Sequence, residues 1–294
     1  MTAASHNRAF ALLLMLGSTI ALSCMHGIIR LLGDEVHPFI ILFLRNLFGL
    51  VAVAPLLLRS GADGLKTQDM PWFLLRAAIS VTAMAAWFYA LTRAPITEAT
   101  ALSFTAAMFA SLAAVVLLGE RVRARRITAM ACGFIGVLIV LRPTTQALSP
   151  AMVLVLFSSV CWGVSVVLAK RLTARNSSTT IVAWMTILLS VISLPMALWA
   201  WHPLQLSHWL WMLLGGTLAT IGHLSMTQAL RMTDTTAVMS IDFFRLIWAT
   251  LIGVLAFCDP LHANTYVGAV IIFAAGLYIT YRESRLAEPR TPSS

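Results

Sequence analysis

The run Met239-Ser-Ile-Asp242-Phe-Phe-Arg245-Leu-Ile-Trp248 sets an acid, a base and a large aromatic at three-residue spacing inside an apolar stretch. On a helix this spacing puts neighbouring members roughly 60° apart, so all three share a face. Two chemistries fit. Asp242 and Arg245 can neutralise one another as a structural pair that joins helices. Alternatively, in a polar ligand site, Asp242 meets an ammonium, Arg245 meets a carboxylate and Trp248 forms an aromatic wall. Ionisable groups at mid-bilayer depth are costly and mark candidate sites. Arg45, deep in an earlier apolar run, has the same two readings: a structural partner on a neighbouring helix, or a ligand carboxylate.

Two polar stripes accompany these charges. Thr19, Ser23, His26 and Arg30 recur on one helical face, and Gly216, Thr220, His223 and Thr227 repeat the device later in the chain. Such stripes serve close helix packing and interhelical hydrogen bonds, or they line a cavity. Trp162 lies between Ser158 and Ser165 at helical spacing, so it shares their polar face and is expected to look inward. Phe104 is a further candidate for an apolar or aromatic wall. The candidate ligand-binding residues are therefore His26, Arg45, Phe104, Trp162, Ser165, His223, Thr227, Asp242, Arg245 and Trp248.

Other chemistries lack their constellations. There is no pair of aspartates of the intramembrane-protease kind, no serine nucleophile elbow with a matching histidine, and no phosphate-cradling glycine loop ending in lysine. The seven histidines form no i, i+4 metal pair, and Cys24, Cys132, Cys161 and Cys258 lack metal-type spacing. Those cysteines read as small packing residues. No catalytic residue, cofactor or metal is expected.

The elements that carry these residues follow from composition. Of 294 residues 60% are hydrophobic and 11% charged, with a mean hydropathy of +0.88. Soluble domains carry about 25% charged residues, so the bilayer is the expected solvent. Apolar runs at 9–29, 38–58, 71–92, 97–118, 127–141, 151–169, 179–201, 209–230, 237–257 and 263–281 give ten expected transmembrane helices. The fold class expected is an all-α membrane protein. The net charge of +9 does not signal nucleic acid, because the basic residues cluster at the ends of apolar runs. Arg59, Lys66, Arg121, Arg123, Arg125, Arg126, Lys170, Arg171 and Arg175 fall on one side, against Arg30, Arg93 and Arg142 on the other. The positive-inside rule then puts both termini in the cytoplasm.

The chain also repeats itself. A shift of 140 residues puts Ser18 on Ser158, Arg30 on Lys170 and Pro55 on Pro195. A shift of 139 puts Trp72 on Trp211, Phe104 on Phe243 and Glu120 on Asp259. Five spans per copy, an odd number, require the second copy to be inserted upside down, an arrangement common among transporters. The expected division is a first five-helix repeat at 1–146, an inverted one at 147–283 and a cytoplasmic tail at 284–294.

Several stretches resemble the EamA family of the drug/metabolite transporter superfamily. They are Trp87 to Thr105, Leu118-Gly-Glu-Arg-Val-Arg123, Gly133 to Pro143, Pro38 to Phe48 with its Phe-Leu-Arg-Asn, Asp242 to Trp248, and Gly268-Ala-Val-Ile-Ile272. The resemblance runs over residues 9–283. It implies a 5 + 5 inverted-repeat secondary transporter in a bacterial cytoplasmic membrane, with a central cavity enclosed by the first four helices of each half. Relatives include amino-acid exporters, the YddG type that exports aromatic amino acids among them, and carriers of S-adenosylmethionine or nucleotide sugars. Ala106-Ala107 stand where many relatives have a proline after Ser-Phe-Thr, which removes the basis for a proline kink there. The expected function is alternating-access movement of a small metabolite, with amino-acid export as the leading reading. A carrier of a nucleoside-like or cationic metabolite such as S-adenosylmethionine is the second, and a non-transporting membrane scaffold or enzyme the third. The expected partners are a small-molecule substrate and the lipid bilayer, without nucleic acid; monomer and homodimer are both open.

Overall fold

A computed structural model describes residues 3–60, 67–118, 124–141, 149–173, 175–176, 178–232, 241–242 and 244–287. The expected copy boundary at 146/147, the charges Lys66, Glu120, Arg121, Arg123 and Arg142, positions 237–240 and 243 of the ninth expected span and positions 288–294 of the tail lie outside them.

Every regular element among the described residues is a helix: α1 (Ala3–Leu32), α2 (Pro38–Ser60), α3 (Met70–Leu91), α4 (Ile96–Ser103), α5 (Ala106–Leu118), α6 (Ala124–Leu141), α7 (Pro150–Thr173), α8 (Ser178–Trp199), α9 (Leu206–Met232), α10 (Phe244–Phe257) and α11 (Ala263–Ala287). Four described stretches are long and apolar enough to cross a membrane: Phe10–Leu32, Met70–Leu91, Ile96–Leu117 and Pro150–Ala169. At 1.5 Å per residue each spans about 30 Å. Shorter apolar helical stretches occur at Pro38–Val51, Ala131–Val140, Ala183–Trp199, Phe244–Phe257 and Ala263–Tyr278. Pro38 and Pro150 open their helices and Pro71 sits in the first turn of α3, where a missing N–H leaves no intrahelical bond unmade.

One expected run is two helices. The chain breaks between α4 and α5 at Phe104-Thr105 although no proline is present. Ser103 Oγ donates to Thr100 O and Thr105 Oγ1 to Leu102 O, both at 2.7 Å, and Thr105 N–H turns back to Leu102 O at 3.0 Å. Hydroxyls that capture carbonyls of the preceding turn compete with the helical ladder. Two such captures in three residues interrupt the ladder without a proline.

The helices pair across the chain. The most extensive contacts join α1 to α9, α6 to α11, α3 to α7 and α2 to α8, each uniting a helix before residue 142 with one after residue 149. Contacts within either half are sparser. Three of these pairs run antiparallel. Leu22 lies at Gly222 and Ile28 at Gly215; Ser80 meets Ser165 and Ala83 meets Ser158; Gly133 approaches Ala275 and Gly136 approaches Gly268. Ser18 Oγ donates to Gly222 O at 2.7 Å in the first pair, and Ser158 Oγ donates to Ala83 O at 2.7 Å in the second. Shifts of 140 and 139 residues carry the first bond onto the second.

The two ends of the bundle differ. At the end where α1 finishes, residues 21–29 are almost all buried, whereas Phe10, Leu13, Gly17 and Ile20 in its first half are exposed. The α9 stripe follows the same gradient: Gly216 buried, Thr220 half-buried, His223 and Thr227 exposed. On α7, Ala151, Val155 and Ser158 are buried while Trp162 and Val166, farther along nearly the same side, are exposed. These exposed residues lie along one face of each helix, while Ala11, Met15, Ser18 and Thr19 of α1 and Ala229 of α9 stay buried at the same end.

Candidate substrate site

Four helices bring most of the expected residues together. On α1, Thr19 Oγ1 accepts a hydrogen bond from Trp248 Nε1 at 3.1 Å, and Ser23 Oγ donates to Arg245 O at 3.4 Å, which fastens α10 along the first polar stripe. One turn on, His26 is buried and its Nε2 accepts a hydrogen bond from Trp87 Nε1 of α3 at 3.3 Å. Across from them, Arg45 on α2 reaches Asn46 Oδ1 at 2.9 Å and His223 Nε2 of α9 at 3.1 Å. Close approach makes that reach possible, since a Cβ on Gly216 would stand 2.7 Å from Phe48 Cβ and 3.3 Å from Arg45 O. His26 lies within electrostatic reach of Arg245, Arg45 and His223, so these side chains form one cluster.

Arg245 Nη2 pairs with Asp242 Oδ2 at 3.0 Å. Its guanidinium also lies 5.3 Å from the ring centre of Phe104, at the α4–α5 break, and Phe104 in turn packs edge-on to Phe273. The break therefore delivers an aromatic face beneath a cation. The pair of the first reading forms, i to i+3 within one stretch of chain, and it sits in the polar cluster.

The donor and acceptor pattern decides what the cluster can hold. Arginine and the tryptophan indole only donate. His26 Nε2 and His223 Nε2 must therefore be acceptors here, and each neutral imidazole carries its proton on Nδ1. His26 Nδ1, Arg45 Nε, Asn46 Nδ2 and Arg245 Nε are buried without a hydrogen-bond partner among the described residues. All four are donors. Among the described residues Arg45 has no carboxylate partner, so two guanidiniums stand against the single carboxylate of Asp242. Buried donors are costly when unmet, and a ligand rich in acceptor oxygens and negative charge meets them.

Other expected residues lie elsewhere. Ser165 is buried against Ser80 Oγ at 2.7 Å, a bond between α3 and α7 outside the charged cluster. Trp162 is 42% exposed and, among the described residues, makes no hydrogen bond or ring contact with the cluster. Thr227 Oγ1 donates to His223 O at 2.8 Å, on the exposed continuation of the stripe. Asn46 and Trp87 join the cluster without being among the expected ligands. Asn46 had a signal in sitting beside Arg45; the direction of Trp87 depends on how α3 packs. A hollow of about 230 Å³ lined by Gly33 to Pro38, Tyr89, Thr92 and Arg93 involves none of the cluster residues.

The apolar helices and the charged cluster among them are those of a helical membrane protein. The sequence profile of the EamA-like transporter family matches residues 9–142 and again 149–281, and the chain belongs to that family. It is 27% identical over 257 residues to the S-adenosylmethionine uptake transporter of Rickettsia prowazekii, covering 87% of each chain. It is 32% identical over 240 residues to the riboflavin transporter of Rhizobium johnstonii, covering 81% of this chain and 79% of that one. With the pseudopaline exporter CntI of Pseudomonas aeruginosa it shares 23% identity over 90% of this chain and 93% of that one. A solved crystal structure at 20% identity shares the fold, with a TM-score of 0.59 over 97% of this chain and 99% of that chain. The protein is thus a multi-pass membrane transporter whose family unit occurs twice.

Proposed function

We propose that the protein is an alternating-access carrier of ten spans, in two inverted five-helix copies within 1–146 and 147–283, that moves a small carboxylate-bearing metabolite of amino-acid type across a bacterial cytoplasmic membrane. The observation that carries the substrate reading is the group of four buried donors, unmet among the described residues, around Arg45, which has no carboxylate partner among them. Arg45 and Arg245 take the carboxylate, Asp242 the ammonium, and Trp248, Trp87 and Phe104 bound the apolar part. The inverted arrangement is supported by the antiparallel pairs and by the Ser18–Gly222 and Ser158–Ala83 bonds that the sequence shift interchanges. The positive-inside pattern argues for both termini in the cytoplasm, which turns the Arg30 end outward.

The similarity to S-adenosylmethionine and riboflavin transporters favours a second reading, in which the substrate joins such a carboxylate or acceptor edge to a nucleoside-like or flat ring. Counterflow into proteoliposomes, with amino acids, S-adenosylmethionine and riboflavin as competitors, separates the two. Hydrogen bonds to charged groups contribute roughly 1.5–3 kcal/mol each. Arg45→Ala is therefore expected to raise the half-saturating concentration of the transported compound about ten- to a hundredfold, with Arg45→Lys between it and wild type. Unchanged transport in Arg45→Ala, Asp242→Ala and Arg245→Ala would remove this site while leaving the transporter family intact.

A further inference from the structure

Arg30 closes α1 with a two-pronged ion pair: Nη1 to Asp259 Oδ2 at 2.5 Å and Nη2 to Asp259 Oδ1 at 2.6 Å. The Asp259 side chain is 4% exposed, and its Oδ2 also accepts the backbone N–H of Ile96, the first residue of α4, at 3.1 Å. The Arg30 guanidinium lies 4.6 Å from the Phe257 ring centre. Three helix ends, α1, α4 and α10, are thus tied at one carboxylate. The backbone is shaped for it. Cys258 adopts a left-handed φ of 52°, Asp259 N–H is fixed to Gly253 O at 2.9 Å, and a Cβ on Gly253 would stand 2.7 Å from Asp259 Oδ2.

We propose that the Arg30–Asp259 pair is the releasable seal of one face of the carrier, made while the Arg30 end is shut and broken when that end opens. The inference rests on the alternating-access reading above. Three observations carry it. The pair joins α1 to α10, which hold the candidate substrate site between them one to four turns below, so separating these ends opens a path to it. A buried ion pair adds little net stability over apolar packing and becomes costly when one partner is lost, so it suits a contact with two states better than a permanent rivet. Finally, the shift of 140 residues takes Arg30 to Lys170 and that of 139 takes Asp259 to Glu120, so both copies carry these opposite charges in sequence. The site charges are not so copied: His26, Arg45, His223, Asp242 and Arg245 fall on Val166, Met185, Met84, Ser103 and Ala106. The sequence thus repeats this pair of opposite charges and does not repeat the site charges.

The test reads access, so it needs no known substrate. Ser23 is 1% exposed on α1, on the site side of the seal. Ser23→Cys, with the four native cysteines replaced by serine, is reconstituted and treated with a membrane-impermeant maleimide from each side separately. Arg30→Gln or Asp259→Asn is expected to raise the labelling rate from the Arg30 side at least tenfold. Arg30→Lys, which keeps the charge, is expected to fall between them and the parent. Gly253→Ala, which crowds the carboxylate but retains both charges, is expected to raise it as well. Should the neutral variants fail to fold, Arg30→Cys with Asp259→Cys replaces them. Its oxidation is expected to abolish Arg30-side labelling, and reductant to restore it. Folded neutral variants that label at the parent rate from the Arg30 side, or an oxidised pair that leaves labelling unchanged, overturn the seal. If the seal alone fails, labelling from the opposite side persists; if Ser23→Cys is reached from neither side, the central-path reading fails with it.

Discussion

Arg45 and Ser165 show what a polar residue inside a helical bundle can be for. Arg45 faces neutral partners and keeps a donor unmet, whereas Ser165 is satisfied by a single hydroxyl on α3. Ser165→Ala is accordingly expected to cost about 0.6 kcal/mol in unfolding in detergent, the average for such bonds, and to leave transport kinetics unchanged. A loss of transport at unaltered stability would return Ser165 to the site. His37 lies outside the spans, between α1 and α2, where it contacts Phe39 and Trp199. Burial, and then the positive charges of His202 and Arg93, hold its pKa below the ordinary value. The unfolded chain therefore takes up this proton first as pH falls. His37 contributes stability above its ordinary pKa of about 6.5 that is lost as pH drops through the lowered value. Titration of its ring by NMR is expected to show a midpoint below that of a free histidine, moved upward by Arg93→Ala. The mutual placement of Asp242, Arg245 and Trp248 was legible because i, i+3 spacing fixes position along one face. Ser165 and Trp162 were not, since helical spacing gives a face but not the neighbour it meets.

Helices were the most legible level, because an apolar run of bilayer length leaves the backbone no other way to satisfy its hydrogen bonds. The break at Phe104-Thr105 escaped, since hydroxyl capture of carbonyls depends on rotamers that the residue order does not specify. The α6–α11 contact is a second case. A Cβ on Gly136 would stand 2.8 Å from Gly268 O, and one on Gly268 would stand 2.6 Å from Gly136 O. This reciprocal backbone approach admits no side chain, so Gly268→Leu must push the helices apart. It is expected to cost about 1–3 kcal/mol, read as a lowered melting temperature in detergent. An unaltered melting temperature would mean that α6 and α11 are not held this closely.

At the scale of the whole molecule, the scaffold carries a repeat and the site departs from it. Bonds such as Ser18–Gly222 and Ser158–Ala83 come in copies, while the arginines and histidines of the cluster occur once. The repeat was legible from a few matched residues, yet the pairing of helices across the copies was not, because self-similarity says nothing of which faces meet. Since the most extensive contacts cross between copies, residues 1–146 expressed alone are expected to be degraded, and co-expression with 147–294 to restore both fragments on immunoblots. Stable accumulation of the first fragment by itself would show that each copy is sufficient on its own.

The Arg30–Asp259 bond also sets a clock on biosynthesis. Its partners lie 229 residues apart, and at roughly 5–20 residues per second the ribosome takes about ten to fifty seconds to travel between them. Throughout that interval a guanidinium waits in or near the membrane without its acid. The pair therefore cannot hold α1 to α10 until nearly the whole chain has been made.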